Sequence, residues 1–200
     1  MAMADADPPP EVNLDECREP TLEDIANLGR ALNAAGARYI IVGGFAIRAA
    51  GFSRKTMDVD LLVQPGRENE ARVIEALMSL PDQAVREIQP GDLEDLTVIR
   101  IADEILVDLM KSSCGVTYEE AFADVTVHDV NGVPIPFASP KMLWKMKQTY
   151  REKDIPDRMF LRKLLAAQGI HVEETPRTAP PQGLRGWLKR IFGDETKDEK

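Results

Sequence analysis

The sequence has few of the residues that mark disulfide frameworks, zinc sites or membrane spans. It contains two cysteines, Cys17 and Cys114, without framework or zinc-ligand spacing, which favours a reducing compartment. Its two histidines, His128 and His171, have no partner pattern that suggests a ligand or a catalytic base. No apolar run approaches the roughly 18 residues of a membrane span, and the start MAMADADPPP is unlike a secretory signal. We therefore expect a cytoplasmic protein with no transmembrane segment.

Basic residues are fewer than acidic ones over the whole chain, 25 against 34, but they are concentrated in one part of it. The net charge of −9 argues against nonspecific coating of nucleic acid, although a local basic groove remains compatible with it. Residues 139–168 contain eight basic and three acidic side chains, a net charge of +5. This stretch suits an anionic partner such as a nucleoside triphosphate or an RNA end.

The chain is long enough for one domain with short appendages, and an apolar fraction of 44% is enough for a real core. Its first segment is small, acidic and proline-bearing, and this composition predicts disorder. The predicted order is a disordered segment (1–19), a core (20–137), C-terminal helices that complete the domain (138–170), a proline-rich linker (171–183), an amphipathic helix (184–193) and a charged tail (194–200).

The C-terminal amphipathic segment has two interpretations. Apolar side chains fall at helical spacing in residues 184–192, with basic side chains on the other face. The favoured interpretation is a helix that packs back onto its own domain, and the alternative is weak docking to a partner or an interface on a flexible tether. Deletion of residues 176–200 distinguishes them, because only the first interpretation requires a marked loss of stability.

Periodicity and turn residues predict alternating helices and strands in the core. Thr21, as a capping residue, and the pair Ser139-Pro140 predict helix starts. Strand 133–137 contains prolines and is therefore expected at a sheet edge. The predicted helices are 21–35, 44–50, 68–80, 139–151 and 154–168, and the predicted strands are 38–42, 58–63, 97–101, 105–110 and 133–137, with a hairpin turn at 102–104.

Three acidic side chains lie inside predicted apolar strands. Asp58 and Asp60 alternate along one strand and therefore project to the same face, and Asp108 lies in the apolar run ILVDLM of a later strand. Taken alone, the pair suits a solvent-exposed strand end, and Asp108 suits a structural hydrogen bond. Because neighbouring strands lie about 4.8 Å apart, three such acids can together bracket divalent cations.

Thirteen residues separate a glycine pair from the first two acids. Gly43 and Gly44 connect a predicted strand to a helix, either as a tight turn or as a phosphate-binding turn whose backbone amides face the ligand. With the three acids, the glycines resemble the nucleotidyltransferase fold superfamily, the polymerase-beta-like group, in which a glycine pair precedes two acids separated by one apolar residue. The resemblance implies a small mixed β-sheet nucleotidyltransferase core flanked by helices, an α/β (α+β) fold with a short helical C-terminal part.

Within that group the chain looks most like the AbiEii toxin-type branch. The stretch RKTMDVD at 54–60 resembles its arginine-x-threonine-x-aspartate-x-aspartate motif, and the resemblance spans about residues 21–168. The helical C-terminal part is shorter than in many such toxins, which bears on the toxin role more than on the fold. The positions that resemble the later helical motif of the branch are Lys141, Lys145, Arg151, Lys153, Asp154 and Asp157.

The resemblance implies transfer of a nucleoside monophosphate from an NTP to an acceptor hydroxyl, with release of pyrophosphate. It assigns Mg²⁺ or Mn²⁺ to Asp58, Asp60 and Asp108, which are also the expected catalytic residues. Phosphate contacts are expected from Gly43, Gly44, Arg54, Lys141 and Lys145. For Arg54 a surface charge and for Lys145 a solvated helix position are nearly equal alternatives.

The acceptor and the activity itself leave alternatives. A tRNA end is the first acceptor implied by the toxin branch, while a protein hydroxyl or a small molecule such as an aminoglycoside remain open. A catalytically silent module that binds nucleotide, RNA or a protein partner is the rival function, and an unrelated α/β domain is a third possibility. Retention of all three acids speaks against the silent module.

Overall fold

The structure, a computed structural model, describes residues 17–174. Six of its strands form one mixed sheet, and the two shortest strands form a separate ribbon. The strands are β1 (Tyr39–Ile41), β2 (Asp58–Val63), β3 (Val98–Ala102), β4 (Leu106–Met110), β5 (Ser112–Ser113), β6 (Val116–Thr117), β7 (Val125–Val130) and β8 (Val133–Ala138). The predicted fold class, a small mixed β-sheet flanked by helices, is confirmed.

The strand order of the main sheet is β3-β4-β2-β1-β8-β7. β2 runs parallel to β4 and antiparallel to β1, and the two hairpins β3-β4 and β7-β8 form the two sides of the sheet. The strands β2 and β4, which carry the three predicted acids, are therefore direct neighbours. β3 is the edge strand beside β4, so the side chains of β3 lie next to a strand that carries one of the acids.

Helices cover the sheet, and two of them begin in the manner that their sequences predict. Thr21 and Asp24 form a reciprocal capping box at the start of the first helix, and Ser139 accepts a hydrogen bond from the backbone N–H of Met142 at the start of the sixth. The α-helices are α1 (Leu22–Ala34), α2 (Gly43–Ala49), α3 (Arg67–Leu77), α4 (Asp92–Asp95), α5 (Tyr118–Phe122), α6 (Pro140–Met146) and α7 (Ile155–Ala167).

The edge position predicted for the strand at 133–137 is wrong. β8 lies between β1 and β7, and its pairing with β1 is confined to Ile41 and Phe137. Because Pro134 and Pro136 lie outside that pairing, their missing N–H groups cost no hydrogen bond to β1. The outer strand is β7, which the sequence analysis did not delimit.

The sixth helix is shorter than predicted. α6 ends at Met146 instead of residue 151, and the following turn is held by Arg158, whose Nη1 donates to the carbonyls of Lys147 (3.0 Å) and Thr149 (3.2 Å). This turn carries Lys147 into the interior, where its side chain is only 7% exposed.

The predicted appendages lie mostly outside the described residues. This holds for residues 1–16 of the N-terminal segment and for residues 175–200, which include the amphipathic helix and the charged tail. Arg18, near the start of the described part, binds Asp24 and Glu104 through its side chain. Within residues 17–174, none of the helices combines the length and apolarity required to cross a bilayer.

Candidate metal centre

The three predicted acids meet on one face of the sheet. Asp60 on β2 is in register with Asp108 on the parallel strand β4, and Asp58 projects from the same face of β2 two residues earlier. Carboxylate oxygens of Asp58, Asp60 and Asp108 lie within 4.8 Å of one another. Asp108 is buried, while Asp58 and Asp60 are half-buried. The strand register alone is therefore sufficient to assemble the cluster.

The glycine pair provides the space that this cluster needs. Gly43 has a φ of +58°, and a Cβ on it would lie 1.8 Å from Oδ2 of Asp60. A Cβ on Gly44 would lie 2.1 Å from Oγ1 of Thr56. The backbone N–H of Val42 also donates to the backbone carbonyl of Asp60 at 3.0 Å. Any side chain at either glycine would thus displace residues of the site itself.

The three negative charges oppose one another, and this repulsion acts on the pKa of Asp60. Burial, followed by the neighbouring carboxylates of Asp58 and Asp108, raises the pKa of Asp60 to about 6. The ammonium group of Lys147 and the backbone N–H of Gly44 act in the opposite direction. The cluster therefore favours either a proton on Asp60 or a cation beside it.

Arg100 on β3 is bound to this cluster and was not predicted. It is in register with Asp108 and forms a bidentate ion pair with it, with Nε–Oδ1 at 2.8 Å and Nη2–Oδ2 at 2.7 Å. Nη2 also lies 3.9 Å from Oδ2 of Asp58. The hydrogen bonds to Asp108 raise the pKa of the guanidinium group, which therefore remains charged.

Thr56 and Arg54 support the cluster from the loop before β2. The buried hydroxyl of Thr56 donates to Oδ1 of Asp58 at 3.1 Å and so fixes that carboxylate. Arg54 lies against the glycine turn, since a Cβ on Gly44 would be 2.9 Å from its Nη2. Its Nε faces Oδ1 of the fully buried Asp157 on α7 at 3.4 Å. The structure thus brings Arg54 to the glycine turn and to Asp157 of α7.

Lys147 connects the cluster to the C-terminal helices. Its Nζ lies 2.9 Å from Oδ1 of Asp154 and 3.0 Å from Oδ2 of Asp157. Burial opposes ionisation of Asp154, but hydrogen bonds from Thr149 and Lys147 outweigh it and lower the pKa of that carboxyl. Because the Lys147 charge also acts on Asp60, this lysine belongs to the electrostatics of the site.

The two predicted lysines of α6 are placed differently. Lys145 pairs with Glu120 of α5, and the described contacts of this lysine do not include the three acids. Lys141 is exposed, and within residues 17–174 no ion pair of its side chain is found. The basic stretch 139–168 keeps its excess of positive charge at the surface, because the buried Lys147 and Arg158 are balanced by the buried Asp154 and Asp157.

Sequence signals for the missed residues exist but are weak. Lys147 lies four residues after the fully buried Leu143, which places a lysine on the apolar face of α6. Arg100 is the base in the otherwise apolar VIRIA of β3, but the predicted hairpin turn at 102–104 is one residue too early. With the observed turn at 103–105, Arg100 stands opposite Asp108, whereas the predicted turn would place Val98 there.

The donor set fits a hard divalent cation. Carboxylate oxygens are the ligands that Mg²⁺ and Mn²⁺ prefer, and here three of them converge from two adjacent strands. Gly43 leaves no Cβ in the space beside Asp60. Arg100 already neutralises part of this charge, so a cation bound by Asp108 would meet the guanidinium group.

Comparison with known proteins gives structural similarities at low sequence identity. One is the crystal structure of an antigenic nucleotidyltransferase-like protein from Paracoccidioides brasiliensis, with 19% identity, a TM-score of 0.46 and coverage of 75% of this chain and 77% of the other. Another is ANT(2")-Ia in complex with adenylyl-2"-tobramycin, with 17% identity, a TM-score of 0.47 and coverage of 74% and 91%. No protein-family model matches the sequence, and no curated protein matches it significantly. At this identity and TM-score, neither similarity identifies the activity of the chain.

Proposed function

We propose that this protein transfers a nucleoside monophosphate from an NTP to an acceptor hydroxyl and releases pyrophosphate. The observation that carries the proposal is the convergence of Asp58, Asp60 and Asp108, whose ligand oxygens lie within 4.8 Å of one another. Three carboxylates this close require compensating positive charge or a proton, and the single charge of Arg100 offsets only part of theirs. Their position beside a glycine turn at a helix start suits a triphosphate substrate that brings Mg²⁺ or Mn²⁺ with it.

In this proposal each acid has a defined task. Asp58 and Asp60 would hold the divalent cations, which when bound neutralise the triphosphate and stabilise in-line displacement. Asp108 would complete the ligand set and accept the proton of the acceptor hydroxyl. The acceptor oxygen forms a bond to the α-phosphorus as the bond to pyrophosphate breaks. Thr56 keeps Asp58 oriented throughout, because its hydroxyl donates to that carboxylate.

The phosphates of the nucleotide would be bound around the glycine turn. We assign backbone contacts to Gly43 and Gly44 and a side-chain contact to Arg54, which is supported by the closeness of Arg54 to Gly44. Lys147 adds positive charge next to Asp60. The assignment of Lys141 and Lys145 to nucleotide binding rests on the family resemblance alone.

An RNA 3′ end, with tRNA as the first choice, is the acceptor that we propose on the resemblance to the AbiEii toxin branch, and a toxin–antitoxin role rests on the same resemblance. Exposed basic residues on α6, α7 and the turn between them offer contacts for RNA phosphates. These residues are Lys141, Arg151, Lys153, Arg162 and Lys163.

One observation favours the second candidate, a catalytically silent module that binds nucleotide, RNA or a protein partner. Arg100 engages both carboxylate oxygens of Asp108, the proposed proton acceptor. If that ion pair were permanent, the third ligand would be lost to catalysis. The two candidates therefore differ in whether label is transferred at all.

The test incubates the full chain with α-labelled NTPs and Mg²⁺ in the presence of total RNA, protein or aminoglycosides. We expect label on one acceptor class and a loss of at least about 100-fold in Asp60→Asn, because the amide neither ligates a hard cation well nor carries charge. Asp95→Asn, which alters an exposed aspartate of α4, is the matched control and retains transfer. Transfer that persists in Asp60→Asn removes the mechanism, and no transfer to any acceptor supports the silent module.

A further inference from the structure

Asp108 is the most constrained of the three carboxylates, and Arg100 is the reason. The ion pair is bidentate at 2.8 and 2.7 Å, and the Asp108 side chain is only 8% exposed. The same guanidinium group reaches to 3.9 Å from Asp58. One arginine thus contacts two of the three acids, one on each of the two strands that form the cluster.

The guanidinium group of Arg100 supplies Asp108 with the positive charge that a metal ion would otherwise supply. The three acids would otherwise face one another with no positive charge on their β3 side, which is unfavourable for groups at this separation. Arginine cannot relieve the resulting competition by losing its proton, because its pKa lies far above neutral pH. A divalent cation that approaches Asp108 must therefore repel Arg100 or displace it.

Arg100 is also placed so that it can leave. It extends from β3, which is an edge strand of the main sheet, and its side chain is 45% exposed while Asp108 is buried. Rotation of the arginine toward solvent breaks its contacts to Asp108 and Asp58 without opening the core. The neighbouring β3 residues Ile99 and Ile101 are buried and keep the strand in place.

We propose that Arg100 is a resident competitor of the divalent cation, so that the guanidinium group and the metal ion occupy Asp108 alternately. The metal-free cluster is stabilised by Arg100, and cation binding releases the arginine from Asp108. The inference rests on the proposed function, because it takes the three acids as the metal ligands. It makes Arg100 a residue that sets the metal affinity of the free protein.

A positioning role and a competing role for Arg100 predict opposite changes in metal affinity when Arg100 is replaced, which makes the proposal testable. If Arg100 only positioned Asp108 for the metal, its loss would weaken binding by about 10- to 100-fold, as is typical for partners that orient metal ligands. If it competes, its loss tightens binding, because one positive charge near the cation is removed. A purely structural role also predicts no tightening.

The experiment measures Mn²⁺ binding to the full-length protein without nucleotide, from the EPR signal of the free ion. We expect the dissociation constant of Arg100→Gln to be about tenfold lower than that of the unmodified protein, which is a shift of about 1.4 kcal/mol. Arg72→Gln is the matched control, because Arg72 is 40% exposed and pairs with one carboxylate, Glu68, away from the acids. An equal or higher dissociation constant in Arg100→Gln overturns the proposal.

Thermal unfolding supplies a second readout. Without metal, Arg100→Gln should melt at a lower temperature than the unmodified protein, and saturating Mn²⁺ should raise its melting temperature by a larger increment. If Arg100→Gln does not fold, Arg100→Lys keeps the charge but loses the bidentate geometry and should show the same direction of change at smaller size. Increments that are equal or smaller than in the unmodified protein contradict competition.

The failure of this inference and that of the proposed function are distinguishable. Label transfer by the unmodified protein together with unchanged or weaker Mn²⁺ binding in Arg100→Gln overturns the competition and leaves the function intact. Tighter binding in Arg100→Gln, abolished by adding Asp60→Asn, supports the competition even if no acceptor takes label. Absence of Mn²⁺ binding in both proteins overturns the competition, whatever the transfer assay gives.

Discussion

At the scale of single residues, the site depends on side chains that are absent as much as on those that are present. Gly43 lies where any Cβ would collide with the Asp60 carboxylate, and Gly44 lies where one would collide with Thr56. The glycine pair is thus required by the acids before any phosphate is considered. A single methyl group at either position is enough to test this.

Gly43→Ala should therefore damage the site more than the fold. The left-handed backbone costs an alanine about 1–2 kcal/mol, and the methyl group would also push Asp60 out of the cluster. Gly36→Ala is the matched control, because Gly36 has a φ of +65° but nothing within 4 Å of its Cβ position. We expect similar losses of stability in urea unfolding, but weakened Mn²⁺ binding in Gly43→Ala alone. Equal Mn²⁺ binding by both variants would show that Asp60 does not need this space.

The pKa of Asp60 predicts how metal binding depends on pH. Since its pKa is raised from 3.8 to about 6, the metal-free folded protein holds a proton in this window that the unfolded chain has lost. The stabilising contribution of that proton is present at low pH and is lost as the pH rises through about 6. Mn²⁺ must displace the proton, so the increase in melting temperature caused by Mn²⁺ should grow between pH 5 and pH 7. Asp60→Asn should remove this growth, and a pH-independent increment would contradict the assignment.

The three acids could be predicted from the sequence, whereas Arg100 and Lys147 could not. Alternation along β2 places Asp58 and Asp60 on one face, because strand geometry has a fixed period, and Asp108 joins them because β4 pairs with β2. Arg100 escaped because a turn shifted by one residue changes the partner across a hairpin. Lys147 was not predicted because its burial depends on where α6 ends, and the helical pattern of the sequence does not determine that end.

At the scale of elements, α6 and α7 are joined to the site by a buried charge network. Lys147 after α6 binds Asp154 and Asp157, and Asp157 in turn faces Arg54 before β2. Such pairs are costly to break one-sidedly, because the remaining charge stays buried without a partner. The network therefore fixes the C-terminal helices against the loop that precedes the acids.

Lys147→Met should destabilise the protein by about 3–5 kcal/mol, the usual cost of removing one partner of a buried ion pair. Lys145→Met, two residues away, removes an exposed pair with Glu120 and should cost less than about 1 kcal/mol. Urea unfolding of the two metal-free variants measures the difference. Similar costs would mean that the interior charges contribute no more than those at the surface.

The predictions of helices and strands were right where a few adjacent residues determine the structure. They were wrong where the structure depends on which strands pair in the sheet. The caps at Thr21 and Ser139 and the β3-β4 hairpin are confirmed, since each depends on a few adjacent residues. The edge position of 133–137 is wrong, because it depends on β7, a strand with little apolar alternation and exposed side chains. β8 is an interior strand of the sheet, but its prolines are typical of an edge strand and led to the wrong prediction.

At the scale of the whole molecule, the core and the candidate site lie within the same continuous stretch of chain. The buried hydrophobic side chains of the sheet and helices, the three acids, Arg100 and Lys147 all fall inside residues 17–174. The Phe52–Phe160 stack, with ring centroids 5.0 Å apart, joins the first half of this stretch to α7. The acids, Arg100 and Lys147 thus come from one continuous part of the chain that the structure describes.

A protein trimmed to residues 17–174 should therefore bind Mn²⁺ with the affinity of the full chain. The expectation follows from the location of all proposed ligands inside this range. EPR titration of both proteins measures it, and a weaker affinity in the trimmed protein would show that a terminal segment completes the site. Thermal unfolding of the same pair separates the two interpretations of residues 184–192, since a helix packed on the domain adds stability and a tethered one does not.

The contact between Arg54 and Asp157 has a consequence for the timing of synthesis. A chain emerging from the ribosome presents the glycine turn and the three acids long before α7 follows. Until α7 has left the exit tunnel, Arg54 and Lys147 lack their partner Asp157. The nascent polypeptide therefore presents its three acids without the contacts of Asp157 until α7 has been synthesised.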